Sequence, residues 1–127
     1  MDKLYSLSAT QMRELLDKKE VSSVEITKSV IDRIEKTDKD INAYITYNFE
    51  NALEQAKLAD ENIAKGKAMG KMAGIPIAVK DNMCVKGVRM TCASKMLENF
   101  VAPYNATVVE KLLNGDGVII GKTTMDE

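Results

Sequence analysis

Apolar positions follow two patterns along the chain. Up to Gly66 they recur at helical spacing, and from Gly74 onward they come in short, nearly continuous runs. Ser8-Ala9-Thr10-Gln11 reads as a capping box, with Ser8 as N-cap and Gln11 at the third helical position, ahead of Met12, Leu15 and Leu16 on one face. A second box, Ser22-Ser23-Val24-Glu25, opens a longer helix in which Ile26, Val30 and Ile34 recur every four residues and Ile31 widens the stripe. That helix is expected to stop near Thr37-Asp38. Ile41, Ala43, Ile45 and Tyr47 then alternate with other residues, which predicts a brief extended segment before Asn48 caps a third helix. Ala52, Ala56, Ala59 and Ile63 form its buried stripe, and Lys65-Gly66 ends it with a basic last turn and a glycine stop. Lys67, Gly70 and Lys71 mark a mobile, solvated connection.

The change of period at Gly74 predicts a strand, Ile75-Pro76-Ile77-Ala78-Val79, buried on both faces of a sheet, with Pro76 tolerable near its start. After a turn region containing Gly87, Asn105 is expected to cap a helix carrying Val108, Val109, Leu112 and Leu113, and Asn114-Gly115-Asp116-Gly117 ends it. Val118-Ile119-Ile120 is the next buried strand. Strand, crossover helix and strand make a parallel βαβ unit, so the fold class is α/β. Two such strands cannot cover their own outer edges, so the sheet is expected to be incomplete in this chain. Residues 1–66 read as helical wrapping and 74–127 as the start of the core sheet, together the N-terminal part of one domain.

Composition narrows the chemistry. The chain has 127 residues and 45% hydrophobic content, enough for a core. Eighteen Lys and Arg nearly cancel 19 Asp and Glu, and the net charge of −1 gives no general reason to bind nucleic acid or anionic membrane. No stretch approaches the roughly 20 apolar residues of a membrane span. With no apolar leader pattern at Met1-Asp2-Lys3-Leu4, the expected compartment is the cytoplasm. Cys84 and Cys92 match no metal or redox spacing and read as reduced structural thiols. Without a histidine, no Ser-His or Cys-His mechanism can come from this segment.

Nucleotide-binding signals fail on inspection. Gly121-Lys122-Thr123 resembles the end of a phosphate loop, but its first glycine would fall at Asp116, and a strand occupies the space of the loop. Gly115, Gly117 and Gly121 have the wrong spacing for a dinucleotide fingerprint. Asn105-Ala106-Thr107 matches a glycosylation sequon, which a helix cap explains better. Lys80 is different. It emerges at the carboxyl end of a strand, above the small Ala78, where α/β sheets carry their active-site loops. Desolvation there would yield a neutral amine able to act as a base, while the plainer reading is a lysine leaving the sheet to pair with Asp81 or another acid.

Gly74-Ile75-Pro76-Ile77-Ala78-Val79-Lys80-Asp81-Asn82 resembles the opening of the amidase signature family. Leu4-Tyr5-Ser6-Leu7-Ser8, Thr91-Cys92-Ala93-Ser94-Lys95-Met96-Leu97-Glu98 and Gly121-Lys122-Thr123-Thr124-Met125-Asp126-Glu127 resemble, more narrowly, the branch that serves tRNA-dependent amidotransferases as glutaminase subunit. The resemblance runs through essentially the whole chain. It implies an α/β/α sandwich whose first βαβ part lies here, and it makes Lys80 the catalytic lysine of a Ser-Ser-Lys triad. Both serines would lie beyond the Met-Asp-Glu motif, so this stretch alone is expected to be inactive. Ser94 belongs to a different motif and reads as a loop or helix-entry serine, while Asp81 and Asn82 are expected to hold the loop after the strand.

The same resemblance implies glutamine as substrate of the whole protein and B and C subunits as partners. No cofactor is expected in this chain, ATP and Mg²⁺ being expected on the partner subunit. A stand-alone amidase acting on small amides, and a non-catalytic interaction module, remain the alternatives.

Overall fold

In a computed structural model, which describes residues 3–67 and 69–125, the first capping box is complete. Ser8 Oγ accepts the Gln11 amide at 3.1 Å, and Gln11 Oε1 accepts the Ser8 amide at 2.9 Å, opening α1 (Ala9–Asp17). At α2 (Ser23–Ile41) Ser22 Oγ likewise accepts the Glu25 amide at 3.1 Å. This helix runs past the stop expected near Thr37-Asp38. Asp38 does not break it: its carboxylate reaches forward to accept the amides of Ala43 at 2.7 Å and Tyr44 at 3.2 Å. Asn42 closes the helix in the left-handed region at φ 58°.

The extended segment is β1 (Tyr44–Tyr47), and α3 (Phe49–Ala64) follows at once. Asn48 occupies the cap position, but its side chain makes no capping bond. Its Nδ2 donates instead to the Ile119 carbonyl at 3.0 Å, and its backbone amide donates to Ile120 at 2.9 Å. The small stripe is buried at Ala52, Ala56 and Ala59, and the first two pack on Val118, whereas Ile63 is only half-buried. From the same helix Asp60 accepts the amides of Ser23 at 2.6 Å and Val24 at 3.1 Å. A carboxylate of α3 thus satisfies the open N-terminus of α2, where negative charge also complements the helix dipole.

Strand order is β1-β3-β2, with β2 (Pro76–Lys80) parallel to β3 (Val118–Thr123) and β1 antiparallel to β3. The parallel pair matches the expectation, and β1 makes the sheet mixed. Central β3 is buried from Val118 to Lys122. β2 is not buried on both faces as expected: Val79 is buried, but Pro76 and Ile77 are half-buried and Ala78 and Lys80 exposed. Ala78 and Lys80 lie on the face opposite Val79, which packs against α4. Close approach at the centre is set by Gly121, where a Cβ would lie 2.7 Å from the Thr46 carbonyl oxygen.

Helices cover the sheet from two sides. Ile31 and Ile34 of α2 pack on Ile120 beside Tyr44, Phe49 and Leu53. On the other face α4 (Thr107–Asn114) buries Val109 with Val79, Val85, Val88 and Ile119. Leu112 and Leu113 flank it, but Val108 is 44% exposed and leaves the expected stripe. Asn105 is not the cap of α4. That position belongs to Ala106, and Asn105 Oδ1 accepts the Lys86 amide at 2.7 Å, closing the loop before the helix.

The connection expected to be mobile is clasped from Gly70 onward. The Gly70 amide donates to Asp116 Oδ2 at 2.6 Å, Met72 to the Gly115 carbonyl at 3.0 Å, and Gly74 to the Asp116 carbonyl at 3.0 Å. No helix among the described residues is long and apolar enough to cross a membrane.

Candidate functional site at the carboxyl ends of β2 and β3

Lys80 is the last residue of β2 and lies opposite Thr123 of β3. Lys80 is exposed in this stretch, so it is not here the desolvated lysine considered from sequence. It lies on the face of β2 opposite the one that Val79 buries against α4. Its backbone is held firmly: the Lys80 carbonyl accepts the Met83 amide at 3.0 Å, and the Asp81 amide donates to the Thr123 carbonyl at 3.0 Å.

Asp81 turns into the protein and is fully buried. Oδ2 accepts the Thr91 amide at 3.0 Å and also the Thr91 hydroxyl, while Oδ1 faces Lys122 Nζ at 3.4 Å. Lys122 too is 0% exposed. The ion pair is longer than the 2.7–2.9 Å usual for a charge-assisted bond, so Thr91 supplies the tighter grip. Asp81 thereby holds the loop after the strand, as expected, whereas Asn82 is exposed.

A slip of register brings Lys122 to this place. Ile77 pairs with Ile119 but Ala78 pairs with Gly121, so Ile120 is passed over, and Val79 then faces Lys122. The extra residue reverses the alternation of β3. Simple alternation would have set Lys122 with Val118 and Ile120 on the α2–α3 face. The slip sets it with Val79, on the face that carries α4.

The loop that meets Asp81 is sharply turned. Cys92 and Ala93 have φ of 50° and 61°, a conformation non-glycine residues adopt rarely. Ser94 precedes the short helical turn Lys95–Leu97 without capping it through its side chain, in keeping with its reading as a loop serine. Both thiols are free, with Cys84 Sγ 3.2 Å from Met90 Sδ and Cys92 Sγ 3.8 Å from the Asp81 carbonyl. Among the described residues no cluster of three His, Cys, Asp or Glu side chains is placed to hold a metal. Asp126 and Glu127 of the last motif lie outside the described residues.

Chemically, the arrangement presents one amine on a fixed backbone at the mouth of the sheet. Sequence reasoning singled out Lys80 and missed Lys122, which it weighed only as part of a failed phosphate loop.

Residues 25–127 match the family model described as Amidase. The chain is 51% identical over 124 residues to the A subunit of the glutamyl-tRNA(Gln) amidotransferase of Desulforamulus reducens, covering 98% of this chain and 26% of that protein. For the protein of the same description from Caldanaerobacter subterraneus subsp. tengcongensis the values are 52%, 98% and 25%. The chain therefore spans about a quarter of the length of these relatives. Among solved structures, peptide amidase from Stenotrophomonas maltophilia superposes with a TM-score of 0.87 at 26% identity over 93% of this chain and 24% of that one. A bacterial aryl acylamidase of the amidase signature enzymes gives 0.83 at 28% identity over 92% and 25%.

Proposed function

Because the chain belongs to the amidase signature family, we propose that it is the N-terminal part of the glutaminase subunit of a tRNA-dependent amidotransferase, with Lys80 as its catalytic lysine. One observation carries the choice within the family: identity is 51% to an amidotransferase component but 26% to a peptide amidase and 28% to an aryl acylamidase. In this reading glutamine is hydrolysed in the complete protein. Its ammonia passes to a B subunit that converts Glu-tRNA(Gln) to Gln-tRNA(Gln), and a C subunit assists assembly. ATP and Mg²⁺ belong to the partner, and the complex works in the cytoplasm.

Lys80 would act as a neutral amine. It would take a proton, relayed by a bridging serine, from a serine that attacks the amide carbonyl; the proton would return to the amide nitrogen as the C–N bond breaks and ammonia leaves, and water would then hydrolyse the acyl-enzyme to glutamate and free serine. The fixed backbone at Lys80 supports this role, since a base must be held within reach of the group it deprotonates. Both serines would come from residues outside this stretch, and the helices within residues 1–66 would wrap a core sheet to which β1, from the same segment, already contributes one strand, a correction to the expected start at residue 74.

In the complete protein with its partner subunits, Lys80→Ala should lower glutamine hydrolysis by about a hundredfold or more while the protein stays folded. Activity near that of the parent would remove Lys80 from the chemistry. The 127-residue chain by itself should show no glutaminase activity, and Lys80-dependent hydrolysis by it would overturn the reading. Co-purification with B and C subunits separates this function from that of a stand-alone amidase.

A further inference from the structure

Lys80 is exposed, yet the peptide joining it to Asp81 is hydrogen-bonded through both its carbonyl and its amide. Its carbonyl is bound by the Met83 amide, and the following amide is bound by Thr123. One residue on, the Asp81 carboxylate is buried between Thr91 and Lys122. Side chains alternate along a strand, so Lys80 and Val79 project to opposite faces of β2. Lys122, paired with Val79, is on the second of these faces. The charged network grips the sheet from one side at the point where Lys80 leaves it on the other.

Stability is a poor reason for such a network. Two charges removed from water lose solvation that a 3.4 Å pair only partly restores, and well-packed apolar residues often serve as well. Directed bonds fix geometry in a way that apolar packing does not. Here they join three points distant in sequence: the end of β2, the end of β3, and the turn at Thr91-Cys92-Ala93, whose positive φ values Thr91 anchors.

We propose that Asp81, Thr91 and Lys122 form a positioning unit that fixes the direction in which Lys80 leaves β2. None of the three touches substrate in this scheme; they act through the Lys80 backbone. The proposal rests on the reading of Lys80 as the catalytic lysine and adds to it the residues that aim it.

The test uses the complete protein with its partner subunits. Thr91→Val keeps the shape of the side chain and removes the hydroxyl, Thr91→Ser keeps the hydroxyl, and Lys122→Met replaces the cation with an apolar chain of similar length. For Thr91→Val and Lys122→Met, kcat for glutamine hydrolysis should fall about tenfold to a hundredfold with KM within about twofold, the signature of a misplaced catalytic group. Thr91→Ser should stay within about threefold of the parent, because it restores the bond to Asp81.

Thermal unfolding of each variant, followed in parallel, selects a temperature at which all are folded. A residue that merely stabilises would lower the melting temperature and leave kcat below it unchanged. Either folded variant, Thr91→Val or Lys122→Met, retaining the parent kcat would overturn the proposal, as would an equal loss in Thr91→Ser. Lys80→Ala in the same series separates the two readings. If it keeps full activity, Lys80 is not catalytic and the unit has nothing to aim. If it is inactive while Thr91→Val and Lys122→Met are active, only the positioning unit fails.

Discussion

Asp38 and Asp81 are the buried aspartates among the described residues, and they do similar work in different surroundings. Each accepts a backbone amide and a hydroxyl across a reversal of the chain. Asp38 binds Ala43, Tyr44 and, at 2.5 Å, the Tyr47 hydroxyl, all within nine residues of itself. Asp81 binds Thr91, ten residues away, and Lys122, 41 residues away. A local clasp needs no counter-charge, because Tyr47 is half-exposed and water lies at hand. The long-range tie sits where water does not reach, and there the carboxylate is matched by a cation.

The sharpest way to break this contrast is to remove one member of the buried pair. Asp81→Ala leaves the Lys122 ammonium buried and unmatched, and should cost about 3–5 kcal/mol of stability in urea unfolding. Adding Lys122→Met to the same chain should recover part of that loss, with a coupling of about 1–3 kcal/mol. Strictly additive losses would mean that the two charges do not depend on each other, and the distinction between tie and clasp would fall.

Asp38→Ala should cost less, about 1 kcal/mol, because solvent can replace the bonds to Ala43, Tyr44 and Tyr47. The expected structural sign is local: hydrogen exchange should quicken at Ala43 and Tyr44 and remain slow at Val118–Ile120. An effect as large as that of Asp81→Ala would make Asp38 equally indispensable and erase the difference.

How far the sequence discloses these features follows the range of the interactions. Ser8, Gln11 and Ser22 were legible because a cap and its helix lie within four residues, and Ala52, Ala56 and Ala59 because a helical stripe repeats locally. Asp38 misled for a related reason: a polar residue near a helix end reads as a stop, while its carboxylate here serves the turn that follows. Asn48 falls at the expected cap position and Asn105 one residue before it, but neither side chain caps its helix, since the Ile119 carbonyl and the Lys86 amide approach them only in the folded chain.

At the candidate site Lys80 was legible from its place at a strand end. Lys122 was not, because a single-residue slip between β2 and β3 decides its face, and register between distant strands leaves no local trace. The uncovered outer edge of β2 was anticipated, but the exposure of Lys80 was not, because the elements that cover each face come from distant parts of the chain.

The smallest expected effect sharpens the comparison through pH. The Tyr47 hydroxyl bond holds the Asp38 carboxyl below its ordinary range, with help from the amides of Ala43 and Tyr44, while burial opposes them. The same bond raises the Tyr47 phenol, aided by burial and by the charges of Asp38 and Tyr44. A carboxyl with a lowered pKa contributes stability that is present above its unfolded value, about 4, and is lost as pH falls through the folded one. A phenol with a raised pKa contributes below its unfolded value, about 10, and that contribution is lost as pH rises through the folded one.

Tyr47→Phe removes both contributions. Its stability should therefore trail the parent by a nearly constant amount between about pH 4 and 10, with the gap closing at either end. That gap should be smaller than the loss in Asp38→Ala, because the amides of Ala43 and Tyr44 still bind the carboxylate. Parallel stability–pH curves with no closing at the acid end would show that Tyr47 acts on Asp38 through packing alone. Asp38 would then be a clasp of two backbone bonds, and its likeness to the hydroxyl-bound Asp81 would end there.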